Sequence, residues 1–333
     1  MDVIEQGVGE LFMDPDADKA RAAFRQKSRK WENKVMSVKE AVERFVHDGE
    51  YLAFGGFGCN RIPAAAAHEI VRQGKKNMGF AGNTSTIDFE ILCAGEVFNR
   101  CDVAYVIALE ARGLSPMARR YMESGKVKIC EWTNYSLAVR FKAASAGVSF
   151  YPARDMMGTD SFKYSAAKMI ECPFTGTNYV LLPALYPDVA VIHVHEADIY
   201  GNSRIRGITM SDYDIARASK RVIITCERLI STDEIRNKPN ETIIPFWCVD
   251  AVCEVPYGSY PGNMAGEYYS DELHIKEWLR VEKEGGKDPE VLKKFLDEQI
   301  FSCEDHFEYI QKNGGMAKMQ ALRQKELLLN GAK

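Results

Sequence analysis

The stretch from Asp48 to Pro63, DGEYLAFGGFGCNRIP, follows an apolar run with Gly55, Gly56 and Gly58 and then a proline, an order that suits ligand binding. The continuous apolar run at 51–57 reads as a strand buried on both faces. Gly55, Gly56 and Gly58 then let the backbone bend and approach a ligand closely. Pro63 suits the first turn of the helix that follows, PAAAAHEIVRQ. Free N–H groups of the turn, together with the positive end of that helix, would favour negative charge. The same residues also fit a tight strand-to-helix turn with no ligand.

Two nucleotide motifs fail here. A dinucleotide fingerprint needs a third glycine where Arg61 stands, and an acidic residue where the next strand ends in Asn83. A P-loop needs Gly-Lys-Ser/Thr, which does not follow. His193 and His195 share one strand face, as two metal ligands could. No third ligand is near and Glu196 points away, so they read as core or interface histidines and no metal is expected. Glu110 ends the apolar run VAYVIALE beside Arg112. It reads either as half of an ion pair at a strand end or as a carboxylate facing a cleft.

The elements that must position these residues alternate. Strands are expected at YLAFGGF, NMGFAG, CDVAYVIAL, VKICEW and SFYPA, each followed or separated by a helical pattern. Ser37 and Glu40 form an S-x-x-E capping box ahead of VKEAVERFV. The rhythm argues for an α/β fold, an open and mostly parallel sheet with helices on both faces. Residues 154–178 break the rhythm as a loop-rich insert, expected to be a lid, a pocket wall or disorder. TNYVLLPAL, DVAVIHVHEA, RVIITCERL and VDAVCEVPYG complete the strands, with SDYDIARAS as a helix. The expected organisation is a polar N-terminal arm over 1–34, the α/β domain over 35–270 and a helical C-terminal extension over 271–333.

With 333 residues, 46% hydrophobic and 27% charged, the chain has the composition of a globular protein with one large core or two domains. A net charge of -4 provides no basic field for a nucleic acid. No apolar stretch is long and uninterrupted enough for a membrane span, and no secretory signal is readable. Nine scattered cysteines without a C-x-x-C pair argue against zinc ribbons and for reduced, buried thiols in a cytoplasmic protein.

The pattern DG-xx-apolar-GGF, carried by Asp48, Gly49, Leu52, Ala53, Phe54, Gly55, Gly56 and Phe57 with Pro63 behind it, resembles the A-type half of class I coenzyme A transferases. Arg61 departs from the glycine common there, and a basic residue at that place resembles the A-type half of glutaconate CoA-transferase. The similarity runs through EIVRQG, SGKV, SFYP, DVAVIH, DIARASKRVIITCERLISTDEIR and VDAVCEVPYG, roughly residues 35–310. It implies a CoA-transferase fold of the NagB/RpiA type. It implies CoA as a substrate, no permanently bound cofactor, and CoA exchange between an acyl-CoA and a carboxylic, preferably dicarboxylic, acid through a glutamyl-CoA thioester. In two-subunit members the glutamate lies in the B-type subunit, in a glycine turn. Glu131, Glu227 and Glu254 lack that turn, so the resemblance implies a B-type partner carrying the nucleophile, with Glu110 and Glu131 as secondary carboxylate candidates in this chain.

This chain would then form the other wall of the site. The candidate contacts are Gly55, Gly56, Phe57, Gly58, Asn60 and Arg61 of the turn, then Asn83, Thr84 and Ser85, then Asn134, and Gly158 with Thr159 in the insert. Asn83 and Ser85 also read as ordinary helix caps. Arg61 would pair with a diacid carboxylate or a CoA phosphate, or lie solvated on the rim. Two other functions stay open. One is a CoA-ester hydrolase resembling the ring-opening hydrolases, whose glutamate would fall on Asn134. The other is a non-catalytic scaffold subunit.

Overall fold

The capping box forms as its residues dictate: Ser37 Oγ accepts from the Glu40 amide and Glu40 accepts from the Ser37 amide. A computed structural model describes residues 2–106, 112–329 and 331. Its strands are β1 Val3–Gln6, β2 Tyr51–Phe54, β3 Met78–Gly82, β4 Phe98–Val103, β5 Lys128–Glu131, β6 Phe150–Ala153, β7 Lys168–Glu171, β8 Asn178–Pro183, β9 Val189–Ala197, β10 Ser203–Arg204, β11 Arg221–Leu229 and β12 Ala251–Glu254. Its helices are α1 Ala17–Gln26, α2 Val38–Phe45, α3 Ala64–Arg72, α4 Ile87–Ala94, α5 Pro116–Glu123, α6 Asn134–Ser145, α7 Asp160–Lys163, α8 Asp212–Ala218, α9 Thr232–Asn237, α10 Glu272–Gly285, α11 Pro289–Leu296, α12 His306–Lys312 and α13 Gly315–Leu329.

The main sheet runs β12-β11-β9-β2-β3-β4-β5 with every neighbouring pair parallel, and β10 folds back antiparallel on β9. Both of its faces are covered. Leu52, Phe54, Phe80, Val189, Val191 and Ile223 point into a core roofed by α2–α5, α10 and α11. Their sequence neighbours Tyr51, Ala53, Ala81, Ala190, Ile192 and Ile224 point into the opposite core, under α6 and α8. Alternation with both faces apolar is why these strands read as continuous hydrophobic runs. Phe80, Phe89, Phe98 and Tyr121 make a chain of ring contacts with centroids 5.3–5.8 Å apart. Each such ring contributes roughly 1.5–3 kcal/mol by leaving water.

SFYPA and TNYVLLPAL are strands, but they do not extend the parallel sheet. They are β6 and β8 of a separate antiparallel sheet ordered β1-β7-β8-β6. This sheet turns Met169, Val180 and Leu182 toward the core under α6 and α8, while its other face carries exposed Phe150 and buried Ile170, the latter paired with Tyr179. The 154–178 insert is therefore more regular than expected, since it supplies α7 and β7. Residues 1–34 contribute β1 and α1. Their exit is fixed by Lys34, whose Nζ donates to the carbonyls of Phe246 and Val249, and by Trp31, packed 4.1 Å from Tyr200 and 4.6 Å from Phe246. All nine cysteines are free and eight are buried. Among the described residues no helix is long and apolar enough to cross a membrane.

Candidate functional site

In an open parallel sheet, ligands bind beyond the carboxyl ends of the strands, where helix N-termini converge. Here β2 runs into the glycine turn and then α3; β3 runs through Asn83–Thr86 into α4; β5 runs into α6; and α8 starts at Asp212 in front of them. The structure brings the turn, Asn83–Ser85 and Asn134 together. Gly58 donates its amide to the Thr84 carbonyl, and Thr86 Oγ1 donates to the Gly58 carbonyl. Thr84 Oγ1 donates to Asn134 Oδ1 at 2.9 Å, Asn83 Nδ2 donates to the Asn134 carbonyl at 3.1 Å, and Ser211 Oγ donates to Asn83 Oδ1 at 2.8 Å.

The turn itself differs from expectation. Its amides at Gly55, Gly56, Phe57, Gly58, Asn60 and Arg61 all have protein acceptors, so they are not free donors for an anion. Arg61 is not on the rim. It is fully buried, with Nη1 and Nη2 each 2.9 Å from an Asp212 oxygen and Nη2 also on the Ile208 carbonyl. Asp212 also accepts from the Gly56 amide. One carboxylate thus holds both ends of the turn, and its satisfied geometry leaves Arg61 no donor pair for a substrate carboxylate. Behind the turn, the 258–265 segment supplies the Asn263 carbonyl to the Arg61 amide, while Asn60 Oδ1 accepts from Asn263 Nδ2 and the Ala265 amide.

The open donor at the mouth is the Asn134 carboxamide. Its Oδ1 is held by Thr84, which leaves Nδ2 directed away at the half-buried N-terminus of the twelve-residue α6. That helix end adds positive potential. Glu131 sits half-buried at the end of β5, paired with Val103. No hydrogen bond among the described residues joins Gly158 or Thr159 to this cluster: Thr159 caps α7 and donates to the Met156 carbonyl, while Asp155 of the same insert accepts from Thr133 Oγ1 beside Asn134. Glu110 lies outside the described residues. Arg112 makes a two-pronged pair with Glu272, at 2.9 and 2.6 Å, and reaches Cys59 Sγ at 2.9 Å. Burial pushes the Cys59 thiol up and Arg112 partly offsets it. Asp212, Arg112, Cys59 and Asn263 were not singled out by sequence. Only Arg112, as Glu110's neighbour, carried any signal.

The two histidines of β9 share a face, as their spacing requires. His193 bonds Thr225 Oγ1 at 2.9 Å and Glu227 at 2.8 Å, and His195 bonds the Ala265 carbonyl at 2.9 Å. His195 thus anchors the segment behind the turn, while His193 is held to β11. Among the described residues no group of three or more His, Cys, Asp or Glu side chains is placed to hold a metal ion.

Glycine geometry separates two roles. A Cβ at Gly56, where φ is +89°, would lie 2.6 Å from the Arg61 carbonyl oxygen, whereas a Cβ at Gly58, φ +63°, would enter open space. Gly56→Ala is therefore expected to unfold the turn. Gly58→Ala should cost only about 1–2 kcal/mol of stability, the usual left-handed penalty, and raise KM by intruding on the ligand space. Thermal midpoints and KM measured on both variants test this; equal midpoints would refute it.

Below the site Glu90 is buried with neither carboxylate oxygen hydrogen-bonded among the described residues. Burial, then Glu282 and Asp88, hold its pKa well above the usual range; burial lifts Asp88 to about 6 and Glu282 to about 7. A carboxyl whose folded pKa is raised binds a proton more tightly when folded. Its contribution is complete below the unfolded value of 4.5 and is lost as pH rises through the window above it. Glu90→Gln should therefore match the wild type near pH 4.5 and exceed it increasingly toward pH 8, by up to roughly tenfold in folding equilibrium per pH unit. A pH-independent difference in denaturant midpoint would sink this reading.

Residues 35–255 match the family described as coenzyme A transferase. The A-type subunit of glutaconate CoA-transferase from Acidaminococcus fermentans is 33% identical over 304 residues, 85% of this chain and 92% of that one. The A-type subunit of 3-oxoadipate CoA-transferase from Pseudomonas knackmussii is 33% identical over 282 residues, 84% and 97% of the two chains. Among solved structures, glutaconate coenzyme A-transferase from A. fermentans superposes with a TM-score of 0.82 at 32% identity, covering 87% of this chain and 95% of that one. A variant of the decarboxylase AibA/AibB superposes at 0.70 and 32% identity, covering 80% and 99%.

Proposed function

This chain belongs to the coenzyme A transferase family, and we propose that it is the A-type subunit of an enzyme moving CoA between an acyl-CoA and a dicarboxylic acid. The nucleophile is a glutamate of a B-type partner, which forms the glutamyl-CoA thioester. The observation that carries this reading is an incomplete site inside an apolar rim. Among the described residues the carboxylates around the Asn83–Thr84–Asn134 cluster other than Glu131 are already engaged or buried: Asp212 on Arg61, Glu272 on Arg112, Asp88 and Glu90 within the core; Glu131, half-buried at the end of β5, stands outside any glycine turn. Around it Tyr105, Leu114, Tyr135, Ile208, Met210, Tyr213 and Leu273 are 36–76% exposed, a ring that only a protein partner would cover.

The steps follow from these groups. The partner carboxylate attacks the thioester carbonyl and CoA leaves as thiolate. The thiolate then attacks the glutamyl carbonyl of the anhydride and expels the acid. Each tetrahedral oxyanion needs fixed donors. Asn134 Nδ2 and the first amides of α6 are the donors this chain supplies. The hydrolase reading needs a base at Asn134, and an amide locked to Thr84 cannot take a proton from water. The decisive experiment is trapping the adduct on the co-expressed partner.

A further inference from the structure

We propose a second ligand site at the opposite edge of the main sheet, a cleft that takes a nucleoside phosphate. It lies where α6 and α8 end and β9 and β11 begin, and α1 forms its outer wall. Helix α6 starts at Asn134 in the reaction site and ends at Ser145 in this cleft, roughly 18 Å along its axis. The two places lie at opposite ends of α6, and the short α8 runs between them, with Tyr213 on the reaction-site rim and Arg217 in the cleft.

The cavity measures about 260 Å³ and is open to solvent on one side. Four cations line it: Arg21, Lys27, Arg29 and Arg217. Two are neutralised, Lys27 by Asp250 at 2.8 Å and Arg21 by Asp18 at 2.7 Å. Arg29 and Arg217 have no carboxylate partner among the described residues. In a chain of net charge -4, two uncompensated guanidinium groups on one small cleft are a local reversal of the overall field. Arg217 is instead held over aromatic faces, 5.0 Å from the Trp247 ring centre and 5.1 Å from that of Tyr213. Such stacking fixes the guanidinium plane without neutralising it.

The remaining wall decides between a bare anion and a larger one. Phe24, Tyr186 and Trp247 supply ring surface, 6.2 Å separating the first two rings. The C-terminal turns of α6 and α8 present carbonyl groups, which repel a simple anion but accept from amino and hydroxyl groups. A ligand with phosphate for the guanidinium groups, a planar ring for the aromatics, and ribose or exocyclic donors for the carbonyls satisfies all three. That is the chemistry of a nucleoside phosphate, whether free or as the nucleotide end of CoA.

The test is calorimetric titration of the full chain, with its partner where the complex can be prepared. The titrants are ADP, adenosine 3′,5′-bisphosphate, CoA, adenosine and inorganic phosphate. Nucleotides should bind at least ten times more tightly than adenosine or phosphate, and Arg29→Glu should weaken them at least tenfold. Arg29 is exposed on the segment after α1, so this change cannot unfold the protein. Arg217→Ala should do the same. Counting only the binding lost in Arg29→Glu, tighter binding of ADP than of CoA identifies a free nucleotide and the reverse identifies the CoA end; CoA binding that survives the substitution belongs to the reaction site. Phosphate binding as tightly as nucleotides, nucleotide affinity unchanged by both substitutions, or no binding at millimolar concentration would each overturn the proposal.

Discussion

Given an acyl-CoA, the complex of this chain with its B-type partner should accumulate a covalent CoA adduct on a partner glutamate and none on this chain. The isolated chain should turn over at least ~10⁴-fold more slowly than the complex, the scale on which enzymes fail when a covalent nucleophile is removed. Borohydride or hydroxylamine trapping followed by peptide mass spectrometry locates the adduct. Glu110→Gln and Glu131→Gln should still permit it, because Glu131 stands at the end of β5 with no glycine turn. If no partner adduct forms and either substitution abolishes CoA release, the nucleophile or base is in this chain and the transferase proposal is wrong at its centre.

The largest effect on stability is expected at Asp212. Its side chain and that of Arg61 are fully buried and bonded to each other. Removing one partner leaves the other charge without solvent or counter-charge, which costs about 3–5 kcal/mol. Against a typical folding free energy of roughly 5–15 kcal/mol this is a large share. Asp212→Ala also releases the Gly56 amide, so the glycine turn should loosen with it. Changing both residues, to Arg61→Met with Asp212→Leu, should recover much of the loss, because the expensive state is a lone buried charge. Denaturant unfolding of the two singles and the double closes the cycle. An unchanged midpoint for Asp212→Ala, with only the KM for diacids shifted, would restore Arg61 to substrate recognition.

The environment of Arg61 is not legible in the sequence. Local signals were sufficient for what local physics decides: the capping box at Ser37, the apolar run of β2 and the glycine turn into α3. They also brought Asn83, Thr84 and Asn134 toward one place, because all three follow strands whose carboxyl ends share an edge. The partner of Arg61 is Asp212, far along the chain at the start of an unremarkable helix pattern. No spacing rule links the two. The antiparallel sheet was missed for a related reason. Pairing direction is not encoded in the apolar run itself, and β8 is half-solvated where a parallel strand would be covered. The segment behind the turn was invisible because its contribution is made by carbonyls and amides, which every sequence has.

The strand order carries a consequence for synthesis of the protein. The strand leading into the glycine turn, β2, is flanked by β3 on one side and by β9 on the other. The first neighbour emerges soon after it, while the second follows only when β3 to β8 have all been made. At about 5–20 residues per second, ribosomes leave the far edge of β2 unpaired for many seconds. During that interval Leu52, Ala53 and Phe54 present open backbone hydrogen-bonding groups on an apolar strand, the kind of edge that recruits other chains. The nascent half-sheet is thus the stage at which chaperones have most to protect, and slowing elongation before Val189 would lengthen the exposure of the very strand on which the site is later built.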